Sequence, residues 1–194
     1  MSADFAIRTA TSQATVERCL AELRRGGAIA LIDGEQALLA IAAETLEEAQ
    51  LAWLGAAAGE SEIRVLLTAE RASRLGMTPA AGNDGICTCR LTASLSAEAL
   101  KTAVIHNLAD PTSDRSATAG ANGGASIASG VTGGVTLDLK AETELSRNLR
   151  QGAIDLAKTA RLLPAVVVAK IAPAAVAYWV ARSEEHTSEL QSPM

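Results

Sequence analysis

The chain has 194 residues, of which 48% are apolar, 20% charged and 2% aromatic, and its formal net charge is −5. This length and composition predict one globular domain with a core of its own and exclude a disordered chain. We expect no binding to nucleic acid, because the chain is acidic, has no basic stripe and offers few rings on which bases could stack.

The sequence begins with a helix and a pair of strands. Residues 14–25 have the apolar spacing of an amphipathic helix, which the pair Gly26-Gly27 ends. The apolar runs 28–32 and 38–42 predict two buried strands. Between them Asp33-Gly34 is typical of a tight hairpin turn.

Short apolar runs then alternate with helical patterns along the rest of the chain. Thr45 and Ser96 are the predicted N-caps of two of the helices. We predict strands at 63–67, 88–91, 137–139 and 166–171, and helices at 46–55, 69–75, 97–107, 144–163 and 174–182. This alternation predicts an α/β domain with a mixed sheet covered by helices.

We place the domain at residues 1–181. Two segments of the chain differ in composition from the rest, one inside this domain and one after it. Residues 110–136 contain six glycines among Ser, Thr and Ala. A flexible insertion is favoured over a phosphate-binding loop, because the segment has neither a Gly-Lys-Ser/Thr motif nor a strand directly before it. The polar tail 182–194 resembles a peptide translated from sequencing-adapter DNA, so we expect it to be non-native and the natural chain to continue.

The cellular compartment is predicted from the cysteines and from the first residues. Cys19, Cys87 and Cys89 are too few for a disulfide framework. An early acidic residue and no long apolar run argue against a secretory signal. Residues 160–181 approach the length of a membrane span, but Lys170 and two prolines favour a strand followed by a helix. We therefore expect a cytoplasmic protein that does not insert into membranes.

A few isolated residues could suggest a metal site. Cys87-x-Cys89 has too short a spacing for the usual zinc pair, so buried thiols are favoured. His106 is interpreted as a solvated histidine near a helix end, and His186 lies in the tail. Asp33 with Glu35 could hold a weak cation, although a solvated turn is favoured.

Three segments in this order resemble 3,4-dihydroxy-2-butanone 4-phosphate synthase. They are VERCLAELRRGGAIALIDGEQALLAIAAETLEEAQ at 16–50, IRVLLTAERASRLGM at 63–77 and GAIDLAKTARLLPAVVVAKI at 152–171, about a third of the chain. The resemblance implies that family's α/β fold, a homodimer, and a chemistry in which carboxylates bind Mg²⁺ and move protons on ribulose 5-phosphate.

The residues that carry this chemistry in the family are missing here. The family's long acidic loop after the first strand is reduced to Asp33-Gly34-Glu35-Gln36, in which only Asp33 matches. Its Gly-His-Thr-Glu motif supplies a metal-binding His and a catalytic Glu, and the corresponding positions here are Leu149, Arg150 and Gln151. Mg²⁺ needs oxygen ligands and enediol formation needs a base. We therefore predict no catalytic, cofactor-binding or metal-binding residues, with Asp33 as the one remnant.

Three hypotheses follow for the function. The first is a catalytically silent scaffold domain of a riboflavin-biosynthesis protein, which precedes a GTP cyclohydrolase II domain with its own three-cysteine Zn²⁺ site beyond residue 181. Its Ala-rich helical surface is suited to dimer packing. The second is a residual lyase that acts on a sugar phosphate such as ribulose 5-phosphate, and the third is a freestanding interaction module.

Overall fold

The computed structural model describes residues 13–58, 63–74, 85–91, 96–105, 137–138 and 145–179. The helices are α1 (Gln13–Arg24), α2 (Glu48–Ala58), α3 (Ala69–Arg74), α4 (Ala97–Ile105) and α5 (Arg147–Thr159). The strands are β1 (Ile29–Asp33), β2 (Gln36–Ala42), β3 (Ile63–Thr68), β4 (Ile86–Leu91), β5 (Leu137–Asp138) and β6 (Ala165–Ile171). The predictions for His106, for the insertion 110–136 and for the tail 182–194 fall outside the described residues.

The six strands form one sheet in the order β1-β2-β6-β3-β4-β5. The prediction of an α/β domain with a helix-covered sheet is confirmed. The sheet differs from the predicted mixed one, because all five pairings among the described strands are antiparallel. The reason is that β2 and β3, which α2 connects, are not neighbours. The late strand β6 lies between them and runs opposite to both.

Helices cover both faces of the sheet. Alternate residues of a strand point to opposite faces, so a strand between two helical layers is apolar throughout. One face packs against α2, α3 and α4 through Leu39, Ile41, Val65, Leu67 and Val167. The other packs against α1 and α5 through Leu38, Ala40, Leu66, Val166 and Val168.

Two helix starts differ from the prediction. Thr45 lies in a 3₁₀ turn and donates to the carbonyl of Ala42. The N-cap of α2 is Glu47, whose carbonyl accepts from the Leu51 amide at 3.0 Å and whose amide donates to Gln50 Oε1 at 2.7 Å. This is half of a capping box, and it displaces the helix start by two residues. The second difference is α5, which begins at Arg147 and not at residue 144.

The other predicted cap and the apolar stretch near the end of the chain agree with the structure. The hydroxyl of Ser96 accepts from the Ala99 amide at 3.1 Å at the start of α4. Residues 165–171 form β6, after which Pro173–Ala175 make a 3₁₀ turn that continues into helix up to residue 179. None of the helices in the described part of the chain is long and apolar enough to cross a membrane.

Candidate functional site

The site predicted from the resemblance lies at the tip of the β1–β2 hairpin. Asp33 and Gln36 face each other across a two-residue turn made by Gly34 and Glu35. Gly34 has a φ of +58°, which the first central position of a primed hairpin turn requires and which glycine adopts without strain. Asp33 follows Ile29 and Leu31 on the face of the sheet that α1 and α5 cover. Its carboxylate is therefore directed toward the helical layer of α5.

The start of α5 meets this hairpin tip. Ser146 is the N-cap of α5, and its hydroxyl accepts from the Asn148 amide at 3.2 Å. The backbone amide of Ser146 donates to Gln36 Oε1 at 2.7 Å. The Ser146 hydroxyl donates to the Asp33 carboxylate, and so does Asn148 Nδ2 at 3.2 Å. Three hydrogen bonds thus connect two segments that are more than a hundred residues apart in sequence.

The electrostatic role of Asp33 follows from this position. The N-terminus of a helix carries a partial positive charge, and α5 has no acidic residue in its own first turn. Asp33 supplies the missing negative charge from another element and accepts from two neutral donors. A carboxylate used in this way fixes the hairpin against the helix.

Two of the three positions that correspond to the family's motif, Leu149 and Gln151, make contacts other than with Asp33. Leu149 is 3% exposed and packs between α5 and the sheet. Gln151 Nε2 donates to the Asp155 carboxylate on the same helix, at 2.9 and 3.0 Å. The two ends of the expected site do come together, but Ser146 and Asn148 make the contacts. The sequence offered one indication of these contacts, since serine is a common N-cap residue. Because the helix was predicted to begin at residue 144, Ser146 was not recognised as its N-cap.

The same face of the sheet also carries two arginines. Arg64 of β3 alternates with the inward-facing Leu66 and lies directly opposite Arg90 of β4. Arg64 is 1% exposed, and Arg150 is half-buried in the first turn of α5. Arg64 lies in the same row of the sheet as Ile29, four residues along β1 from Asp33. Arg64 and Arg90 are therefore not part of the Asp33 site.

The described residues do not fit Mg²⁺ or Zn²⁺. Within these ranges no three His, Cys, Asp or Glu side chains lie close enough to hold a metal ion. Asp33 is one carboxylate, whereas Mg²⁺ takes six oxygen ligands. Cys87 and Cys89 are buried in the core under α2 and α4, and Cys19 is half-buried on α1. The thiols are therefore core residues or isolated ones.

Comparison with known proteins identifies the fold. The sequence matches no protein-family model and no curated protein. The structure is similar to RibBX, a two-domain 3,4-dihydroxy-2-butanone 4-phosphate synthase from A. baumannii, with 21% identity and a TM-score of 0.52 over 80% of this chain and 47% of that one. It is also similar to the 3,4-dihydroxy-2-butanone 4-phosphate synthase of Candida albicans, with 22% identity and a TM-score of 0.50 over 79% of this chain and 78% of that one.

A third similar structure is a 3,4-dihydroxy-2-butanone 4-phosphate synthase in complex with two magnesium ions. Its identity is 18% and its TM-score is 0.50, over 80% of this chain and 74% of that one. The fold that the resemblance implied is confirmed: the domain is an α/β domain of the 3,4-dihydroxy-2-butanone 4-phosphate synthase type. The chain spans about half the length of the two-domain RibBX.

Proposed function

We propose that this chain is a catalytically silent domain of a riboflavin-biosynthesis protein and serves as the scaffold for a GTP cyclohydrolase II domain. The observation that carries the proposal is the contact of Asp33 with Ser146 and Asn148. The one carboxylate that matches the family's acidic loop is bonded to a helix start. Among the described residues it belongs to no group of three His, Cys, Asp or Glu side chains that could hold a metal ion.

The chemistry of the family explains why this contact matters. Forming an enediol from a sugar phosphate requires a base within hydrogen-bond reach of the proton and a metal ion on the adjacent oxygens. Leu149 can neither ligate nor accept a proton. Gln151 is a neutral amide bonded to Asp155, and an amide is not a base at neutral pH.

The proposed protein is cytoplasmic and homodimeric, and it binds neither nucleic acid nor membranes. Its Zn²⁺ belongs to the cyclohydrolase domain, so this domain needs no cofactor of its own. Reading the uninterrupted gene past residue 181 tests the pairing of the two domains. A downstream zinc signature with three cysteines supports it, whereas a stop codon supports a freestanding interaction module.

A residual lyase is the second candidate, because Asp33 still lies at the start of the late helix. The assay incubates the purified chain with ribulose 5-phosphate and Mg²⁺ and measures formate release. We expect no release above that of a heat-denatured sample. Turnover that Asp33→Ala abolishes, and that the matched turn variant Glu35→Ala keeps, would establish the lyase and overturn the silent scaffold.

A further inference from the structure

Within the described part of the chain, the edge strand β1 has few of the features that normally protect a sheet edge. Among the described strands β1 pairs only with β2. Its sequence, Ile-Ala-Leu-Ile-Asp, contains no Lys, no Pro and no bulge in its register with β2. The opposite edge strand, β5, has only two residues. An edge of five regular residues, four of them apolar, is a template for pairing with another strand.

The register with β2 determines which backbone groups of β1 point away from the sheet. Asp33 and Gln36 flank the two-residue turn, so they form a hydrogen-bonded pair. Hydrogen-bonded residues alternate along an antiparallel strand, so Leu31 and Ile29 also bond to β2. The amide and carbonyl groups of Ala30 and Ile32 therefore point outward.

The side chains of β1 show the same asymmetry. Ile32 is 38% exposed, although its partner Ala37 on β2 is fully buried. Ala30 lies on the same face as Ile32 and is half-buried. On the other face, Ile29 and Leu31 pack with the α1 and α5 layer. The uncovered surface thus consists of the outer edge of β1 and the apolar side chain of Ile32 beside it.

We propose that β1 pairs antiparallel with the same strand of a second copy of this chain, about a two-fold axis at Leu31. This register pairs all five residues of both strands. It places the outward groups of Ala30 opposite those of Ile32 of the partner subunit, so they can exchange hydrogen bonds. The large Ile32 side chain meets the small Ala30 of the partner subunit, and Asp33 faces Ile29 of the partner subunit and not the partner's carboxylate.

The pattern of β1 indicates that the strand which pairs with it comes from a second copy of this chain. A two-fold interface uses the same patch on both subunits, and β1 matches itself in hydrogen bonding, side-chain size and charge. The pairing joins the two six-stranded sheets into one continuous sheet. The inference rests on the homodimer of the proposed function and deepens it, because it assigns the surface through which the two copies meet.

Sedimentation velocity on the full chain tests the proposal. We expect the wild type to be a dimer, and Ile32→Lys to weaken dimerisation at least about tenfold, which equals about 1.4 kcal/mol. Tyr178→Lys is the matched control, because Tyr178, at 56% exposed, is the other large exposed hydrophobic residue in the described part of the chain. It is expected to leave the dimer unchanged, and circular dichroism checks that both variants fold.

A crosslink gives an independent test of the register. Leu31 would face its own copy across the axis as a non-hydrogen-bonded pair with Cα atoms about 4.5 Å apart, which is within the range for a disulfide. Leu31→Cys in a Cys19→Ser background should give a covalent dimer when diamide is added as the oxidant. Ser73→Cys in the same background, exposed on α3, should not.

The opposite results would overturn the pairing. In sedimentation, these are a monomeric wild type, which would result if another segment of the chain covers β1, a dimer that persists in Ile32→Lys, or a dimer that Tyr178→Lys dissociates. In crosslinking, the contrary result is a Leu31→Cys variant that forms no covalent dimer. A monomeric wild type would also overturn the proposed homodimer. None of these results changes the formate assay or the gene read past residue 181, so failure of this pairing is distinguishable from failure of the silent scaffold.

Discussion

Asn148 Nδ2 lies 3.2 Å from the carboxylate of Asp33, although 115 positions separate the two residues. The contact exists because the β1–β2 turn and the start of α5 lie at the same end of the domain. Ser146 adds a second donor to the same carboxylate. At this end of the domain, hydrogen bonds therefore join the β1–β2 turn to the start of α5.

Asp33→Ala should destabilise the domain by about 1.5–3 kcal/mol, because two donors lose a charged acceptor. Ser146→Ala should cost about 1–2 kcal/mol through loss of the N-cap. The double variant should cost less than the sum, since both changes remove the same contact. Urea unfolding measures all three. The control Glu35→Ala, exposed in the turn, should change stability by less than about 0.5 kcal/mol, and strictly additive effects would argue against the link.

Gly26→Ala and Gly152→Ala should have opposite effects. Gly26 ends α1 with a φ of +80°, and an added Cβ would lie 3.3 Å from the Thr45 carbonyl oxygen. Alanine there should cost about 1 kcal/mol or more. Gly152 lies inside α5, where an added Cβ meets nothing within 4 Å. Alanine there should stabilise by about 0.5–1 kcal/mol. Thermal melts of the two variants beside the wild type check the signs, and two shifts in the same direction would contradict them.

Arg161→Gly should stabilise the domain by up to about 1 kcal/mol, because glycine is the residue that favours a left-handed helix end. Arg161 follows α5 with a φ of +62°, and the Leu162 amide bonds back to the Ala157 carbonyl at 3.0 Å. The Arg161 side chain is exposed. Arg161→Ala separates the two effects, since it removes the side chain but keeps the strain. Equal midpoints of chemical unfolding for the two variants would show that the backbone conformation is not the cause.

Stability should fall in the alkaline range partly through Cys19. Burial, and then the charge of Glu22, raise the pKa of this thiol, while Arg18 opposes them. Above the ordinary thiol pKa of about 8.5, the unfolded chain therefore loses the proton more readily than the folded one. The free energy of unfolding should decline as pH rises from that value through the raised pKa. Cys19→Ala should show a smaller decline when urea unfolding is repeated across this range, and identical slopes would refute the assignment.

The elements that the sequence predicted well are those whose signals are local. The Asp33-Gly34 hairpin and the Gly26 helix end agree with the structure because turn geometry and positive φ depend on a few neighbouring residues. Thr45 was wrong as a cap because a competing start was available two residues later. Glu47 and Gln50 make that start, and Gln50 also donates to the carbonyl of Gly26. Thr45 and Glu47 were both possible N-caps by local sequence, and the contact of Gln50 with Gly26 favours the start at Glu47.

By itself the sequence determined the class of domain, because runs of Val, Ile, Leu and Ala with strand or helix periodicity can be buried only in a layered α/β arrangement. It also predicted the Asp33-Gly34 hairpin turn between the first two strands. Only the tertiary structure decided that β6 enters the sheet between β2 and β3, and that Asp33 meets Ser146 and Asn148. These pairings join distant segments. They depend on how whole faces pack once the long loops have closed, and local periodicity carries no information about that.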